Sequence, residues 1–466
     1  MKTKALCVAL FLTFLEPIGT VVGQESRPRT LLISLDAVPV WVVEEITDPE
    51  LGEEAVFQGF KGPVPLISTF PSSTSVAMVG LLQPLGLEKS PGYEARFFDW
   101  EQLRARGGGI ISYSKIDFPW RDFFDWSRRN PAGSAIEAVQ PIKSGIKRLR
   151  RAIGEFADSE MDVSLIYIAA TDTAVHVVGP DSVKELLIEL DGMLQEARAR
   201  RPDRPFDTLI FSDHGVAGGD PLINVSKATK KALKQAGFRV SKKGMKKPNT
   251  VVMTPFGLVS NFEAYTRDDR KQEVAEVLSK VDGVDLCSYQ IEPEAWGVVG
   301  PLGSATIQRR DSKGRIEWRY LVEDEDPLNY GEVLGEVEST TSEQTGWLTD
   351  EDLFQASRRH HFPDALHRIA DAFELVTNPG SVVCSLGVDF MYGAASTAAL
   401  ATIGKGKLRW THGGLNSAAT LGFLMSDAAY WEPPDVARYD RALIPFRPDL
   451  ARHPNVMEPV DEADPD

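Results

Sequence analysis

Residues 207–215 read Asp-Thr-Leu-Ile-Phe-Ser-Asp-His-Gly. A short apolar run stops abruptly on two residues able to bind metal and then a glycine. A run this short and this apolar is a strand buried on both faces, as parallel sheets require. The pattern recurs at Leu31-Leu32-Ile33-Ser34-Leu35-Asp36 and at Val163-Ser-Leu-Ile-Tyr-Ile-Ala-Ala-Thr-Asp172. Open α/β sheets carry their chemistry at the carboxyl ends of strands, and that is where all three runs put a carboxylate.

Between the runs lie helical stretches. Residues 141–157 are basic and helical, and residues 182–200 set Leu186, Leu187, Leu190 and Leu194 at helical spacing before Arg201-Pro202 ends the helix. Strands alternating with helices predict an α/β fold: a three-layer α/β/α sandwich around a mainly parallel sheet. Residues 221–330 change character, with shorter strands and a hairpin turn at Asp311-Ser312-Lys313-Gly314. They are expected to form an inserted α+β cap. The catalytic core is then 24–220 and 331–457, in which 365–376 reads as an amphipathic helix and Ser381–Val388 as a strand, followed by a disordered acidic tail at 458–466.

The first 23 residues stand apart. Lys2 and Lys4 precede the apolar run Ala5–Leu15, and Val21-Val22-Gly23 offers a cleavage site before Gln24. This is the anatomy of a secretory signal peptide, so the protein is expected to be secreted or periplasmic. Glu16 and Pro17 cut the run short of a bilayer span, and no stable membrane span is expected after cleavage. Cys7 lies in the leader, leaving Cys287 and Cys384. In an exported chain these two pair, or they remain buried thiols; the sequence leaves both open. A net charge of −16 argues against nucleic acid polymers as partners. A small-molecule phosphate ester is compatible with it, because bound cations invert the local field.

The chemistry-bearing residues are Asp36, Thr74, Asp172, His176, Asp213, His214 and His412. Taken alone, Asp36 reads more readily as a helix cap than as a ligand. Asp213-His214 adds an adjacent pair that can turn onto one cation with the freedom of Gly215. Asp172 and His176 are four apart, one helical turn, and His412 stands before Gly413-Gly414. The hydroxyl candidates lie in Ser68-Thr69-Phe70-Pro71-Ser72-Ser73-Thr74-Ser75, which reads equally as a serine-rich loop with a cap. Two Asp-plus-His sets and a hydroxyl at a helix start suit two-metal phosphoryl transfer. His360, His361, His367 and His453 read as surface or packing residues.

With these motifs in order, the chain resembles the alkaline phosphatase superfamily, and within it the type I phosphodiesterase and nucleotide pyrophosphatase branch. The strings that carry the likeness are Asp36, FPSST around Thr74, TDTAVHVVGP around Asp172 and His176, SDHG around Asp213, and THGGLN around His412. The resemblance implies two divalent metal ions, zinc foremost. Asp36, Thr74, Asp213 and His214 would hold one, and Asp172, His176 and His412 the other. It also implies a phosphoric ester hydrolase working through a phospho-threonine. Thr74 is the nucleophile preferred over Thr69, because FPSST fits the family's aromatic-Pro-x-x-Thr approach.

Two departures stand out. Val175 occupies a position where the family carries Gly, and the family's oxyanion-stabilising Asn is not evident near Gly92–Arg96, where Arg96 is the substitute cation. The same residues would serve a phosphomonoesterase or a phosphonate hydrolase. A sulfatase is disfavoured for want of a C/S-x-P-x-R string, and a non-catalytic exported binding protein is the alternative outside enzymes.

Overall fold

The computed structural model describes residues 29–108, 118–122, 140–340, 346–394 and 408–446. The expected leader and acidic tail lie outside them. Among the described residues, no helix is long and apolar enough to cross a membrane.

The central sheet has six strands: β1 (Arg29–Leu35), β2 (Lys61–Ile67), β3 (Val163–Ile168), β4 (Phe206–Phe211), β14 (Leu421–Ser426) and β15 (Ala437–Arg438). They run in the order β15-β2-β14-β4-β1-β3. β1 pairs in parallel with β3 and β4, and β2 with β15, while β14 is antiparallel to β2 and β4. The fold is therefore α/β around a mainly parallel sheet, as the apolar runs predict. Leu35 pairs with Ile168, Ser34 with Phe211, and Ile67 with Leu421. That register brings the carboxyl ends of β1, β2, β3 and β4 to one edge. Because β14 runs the other way, its amino end reaches the same edge.

Helices cover both faces, since a two-sided apolar sheet needs a partner on each side. On one face lie α1 (Val40–Thr47), α3 (Pro141–Asp158) and α5 (Lys184–Arg200), which share a core with Leu31, Ile33 and Leu35. α5 buries Leu186, Leu187, Leu190 and Leu194 there, each worth about 2 kcal/mol on burial. On the other face, Leu32 and Leu66 pack with α2 (Thr74–Leu82) and α8 (Ala365–Glu374).

Beyond α8 lies a second, nine-stranded sheet. It comprises β5 (Arg239–Ser241), β6 (Thr250–Met253), β7 (Asn261–Tyr265), β8 (Val284–Glu292), β9 (Ala295–Val299), β10 (Ser304–Ser312), β11 (Arg315–Val322), β12 (Leu348–Thr349) and β13 (Val382–Leu386). Its order is β12-β11-β10-β9-β8-β13-β7-β6-β5. Leu286, Trp296, Ile307 and Trp318 join the core around α8. The opposite side packs on α6 (Ser226–Gln235) and α7 (Lys271–Ser279). Most strands come from the stretch expected to be a cap, yet β13 enters the middle from residues 382–386. It is buried throughout, and only an interior place in a sheet satisfies such a strand. The predicted hairpin joins β10 to β11, with Lys313 and Gly314 at positive φ.

β13 also resolves the cysteines. Cys287 on β8 and Cys384 on β13 are register partners and form a disulfide closing 97 residues. Denatured without reductant, the full chain is expected to titrate one thiol, that of Cys7. Two further thiols would refute the pairing. Cys384→Ala together with Cys287→Ala should lower unfolding stability by about 2–4 kcal/mol, read from a denaturant midpoint.

Candidate metal centre

All seven predicted residues converge on the shared sheet edge. Asp36 follows β1 directly, and Asp213-His214 follow Ser212 after β4. Helix α4 (Ala170–Val177) begins just after β3 and carries Asp172 and His176 one turn apart. Thr74 is the first residue of α2, reached by the loop from β2. His412 arrives in the segment that leads into β14. The order of strands, more than any local motif, assembles them.

Two sets form, each with its donor atoms within 4.8 Å of one another: Asp36, Asp213 and His214 in one, Asp172, His176 and His412 in the other. The first is buried. In it, His214 Nε2 lies 3.5 Å from Asp36 Oδ1 and 3.4 Å from Asp213 Oδ2. In the second, Asp172 Oδ1 lies 3.2 Å from His176 Nε2 and 3.5 Å from His412 Nε2. The His214 and His412 rings stack 4.0 Å apart, joining the sets.

The imidazoles share one arrangement. His176 Nδ1 lies 2.8 Å from the Trp410 carbonyl, His214 Nδ1 3.0 Å from that of Gly215, and His412 Nδ1 2.9 Å from that of Ser72. A ring donating Nδ1–H to a carbonyl presents Nε2 as a bare lone pair, the tautomer that metal-ligating histidines adopt. Lone pairs facing carboxylate oxygens without a proton between them repel unless a cation intervenes. Asp172 Oδ1 and Asp213 Oδ2 are buried without a hydrogen-bond partner in this structure. The donor set therefore fits divalent cations, and its mixed N/O chemistry suits zinc-type ions.

The electrostatics agree. Burial, with Asp213 and Asp172 close by, holds the Asp36 carboxyl well above its usual range, and burial pushes Asp213 up to about 7. Burial and the neighbouring His412 depress His214. Burial works against a charged His176 ring, but the Asp172 carboxylate outweighs it and raises the ring to about 9, so that without a cation a proton on Nε2 takes the cation's place. Carboxylates crowded this closely need positive charge among them.

Thr74 Oγ1 lies 3.2 Å from Asp36 Oδ1 and 3.4 Å from His214 Nε2. Thr69 is elsewhere: its hydroxyl donates to the Pro71 carbonyl at 3.0 Å, fully buried. Arg96 is a correction. It opens a short hairpin strand, and its guanidinium donates to the Lys242 and Gly107 carbonyls at 2.7 and 3.4 Å. The cleft of about 290 Å³ beside Thr74 is lined by Glu94 and Ala95 instead, with Asp172, His176, Phe256 and His412. Gly215 also differs in its reason. Its φ is not positive, and a Cβ there would come within 2.5 Å of the Leu421 carbonyl. Close approach to β14, not backbone freedom, is what requires glycine.

Several residues here carried no sequence signal. The Tyr167 hydroxyl donates to Asp36 Oδ2; a tyrosine inside an apolar strand was the only hint, since a buried hydroxyl needs a partner. Arg368 is fully buried on α8 and donates to the Thr69, Leu415 and Pro363 carbonyls and to Ser72 and Thr420 hydroxyls. It ties the loop before Thr74 to the segment after His412. His367, read as packing, is partly buried among Asp350, Asp371 and Arg438. Burial opposes its charge, but Asp371 outweighs it and lifts the ring to about 9.

The family described as type I phosphodiesterase / nucleotide pyrophosphatase matches residues 119–387. That span holds Asp172, His176, Asp213 and His214. No curated protein shows significant similarity to the chain. Among solved structures, human ectonucleotide pyrophosphatase / phosphodiesterase 5 is 12% identical, covering 89% of this chain and 92% of its own, with a TM-score of 0.44. The murine protein is 10% identical over 89% and 92%, at 0.45. Phosphonoacetate hydrolase from Sinorhizobium meliloti 1021, in complex with phosphonoacetate, is 13% identical over 89% and 94%, at 0.47.

Proposed function

The chain belongs to the type I phosphodiesterase / nucleotide pyrophosphatase family, and from that premise we propose that it is an exported, two-metal phosphodiesterase acting through a phospho-threonine. The observation that carries this is the hydroxyl of Thr74 within 3.2–3.5 Å of Asp36 and His214, beside a second Asp-His-His set. Asp36, Asp213, His214 and the Thr74 hydroxyl would hold one cation, and Asp172, His176 and His412 the other. Bound there, two divalent cations, zinc foremost, supply Lewis acidity that lowers the pKa of a hydroxyl or a water to about 7 and offsets charge on phosphorus.

The chain's own residues do the rest. Thr74, at the amino end of α2, presents Oγ1 to phosphorus where the helix dipole favours an anion. Its oxygen forms the new P–O bond as the bond to the leaving alcohol breaks. Water then hydrolyses the phospho-threonine by attack from the vacated side, and the hydroxyl returns. Tyr167, donating to Asp36, fixes the carboxylate beside the nucleophile. The carbonyls of Trp410, Gly215 and Ser72 hold the three imidazoles in their donor tautomer. Export is supported by the leader pattern and by a disulfide, which persists in oxidising compartments.

The test is metal content and turnover together. Purified protein is expected to carry about two equivalents of divalent metal and to hydrolyse bis-p-nitrophenyl phosphate. Chelation should abolish hydrolysis and lower the unfolding temperature, because cations that bind only the folded chain stabilise it; zinc should restore both. Metal-free protein that cannot be loaded, and that turns over no phosphate ester, would refute the proposal and leave a binding protein.

A further inference from the structure

The cleft beside Thr74 has a carboxylate in its wall that the reaction does not use. Glu94 lines it together with Thr74, Asp172, His176 and His412. Its Oε2 accepts the Gly257 N–H at 3.1 Å, while no donor among the described residues reaches Oε1. The carboxylate is set tightly against the backbone, for a Cβ on Gly257 would stand 1.9 Å from Oε1. Behind it Glu263 is buried, accepting from Asn261 Nδ2 at 3.0 Å. Among the described residues, no lysine or arginine lines the cleft.

The charge balance of the site gives this carboxylate a consequence. With neutral histidines, Asp36, Asp172 and Asp213 would leave two divalent cations with a single net positive charge, and the Glu94 carboxylate would bring the cleft to zero. A phosphodiester carries one negative charge, whereas a phosphomonoester near neutral pH carries close to two. In a partly desolvated cleft, an added carboxylate repels the second charge strongly. Resting on the phosphate-ester reading above, we propose that Glu94 sets the charge of the substrate. Its carboxylate turns away doubly charged phosphomonoesters and confines the site to monoanionic phosphodiesters. It also accounts for the missing amide in this region: the position is used to reject charge, not to donate a hydrogen bond.

Glu94→Gln tests this cleanly, since the amide oxygen can still accept from Gly257 while the charge is gone. The measurement is kcat/KM for p-nitrophenyl phosphate divided by that for bis-p-nitrophenyl phosphate. The ratio is expected to rise about tenfold or more in Glu94→Gln, and inhibition by orthophosphate should tighten by a similar factor. Glu94→Asp, which keeps the charge, should stay nearer the wild-type ratio. A ratio within about twofold of wild type in Glu94→Gln, with diester turnover present, overturns the assignment to Glu94 alone. Wild-type protein that hydrolyses neither ester overturns the phosphate-ester reading itself. A measurement on wild type stands even if the variants do not fold. At about pH 8, where it is mostly a dianion, orthophosphate should bind the metal-loaded protein no more tightly than dimethyl phosphate, read by calorimetry. Much tighter binding of orthophosphate refutes the proposal.

Discussion

Thr74→Ala is expected to lower turnover of bis-p-nitrophenyl phosphate by on the order of a thousandfold or more, the scale seen when a covalent nucleophile is removed. The folded structure should survive, because Thr74 is half-buried at a helix start and, among the described residues, its hydroxyl bonds Asp36 and His214 alone. Thr74→Ser should keep a measurable part of the rate, since it keeps the oxygen. Thr69→Ala is the matched control. Its hydroxyl bonds the Pro71 carbonyl, so its loss should cost about 1 kcal/mol of stability and leave turnover within about threefold. Acid-quenched wild-type protein should carry a phosphoryl group on the peptide containing Thr74, and the alanine variant should not. Full turnover in Thr74→Ala alongside loss in Thr69→Ala would move the nucleophile to Thr69.

Arg368→Met is expected to destabilise the chain by about 3 kcal/mol or more, because it removes a charged donor from five buried acceptors at once. The guanidinium reaches the Pro363 and Leu415 carbonyls at 2.9 Å each, the Thr69 carbonyl at 3.1 Å, Ser72 Oγ at 3.2 Å and Thr420 Oγ1 at 2.7 Å. Burial lowers its pKa to about 10, opposed by Asp364, so it stays charged. Methionine fills the volume but takes a charged donor away from three carbonyls and two hydroxyls in a dry interior. Lysine offers only a point charge and cannot reproduce the planar fork. The loop that delivers Thr74 and the segment that delivers His412 would both loosen. Turnover of the folded fraction should therefore fall by on the order of tenfold as well. A denaturant midpoint within about 0.5 kcal/mol of wild type would show that Arg368 is not the brace described.

The part of this site legible in the sequence is the part written in local pattern. Leu31–Leu35, Val163–Ile168 and Thr208–Phe211 are short and apolar on both faces, so each reads as a parallel strand. A charged residue directly after such a run can only lie at its end. Asp172 and His176 share a face by helical spacing alone. Arg96 misled because its distance from Thr74 was informative and its direction was not. A hairpin strand turned the guanidinium onto the Lys242 carbonyl and put Glu94 in the cleft. Glu94, Arg368 and Tyr167 gave little signal because each meets a partner more than a hundred residues away in sequence: Gly257, Thr69 and Asp36.

The chain by itself determined an α/β fold, the strand ends where chemistry could sit, and the residue types able to bind metal there. Periodicity and chain chirality act over a few residues, and a single sequence displays them. The tertiary structure decided which strand lies beside which. It set β14 antiparallel to β4, so that His412 meets His214 ring to ring. It drew β13 into the second sheet and paired Cys384 with Cys287. Pairings of that kind are selected by the total burial of the finished core, a quantity that belongs to no local stretch of sequence.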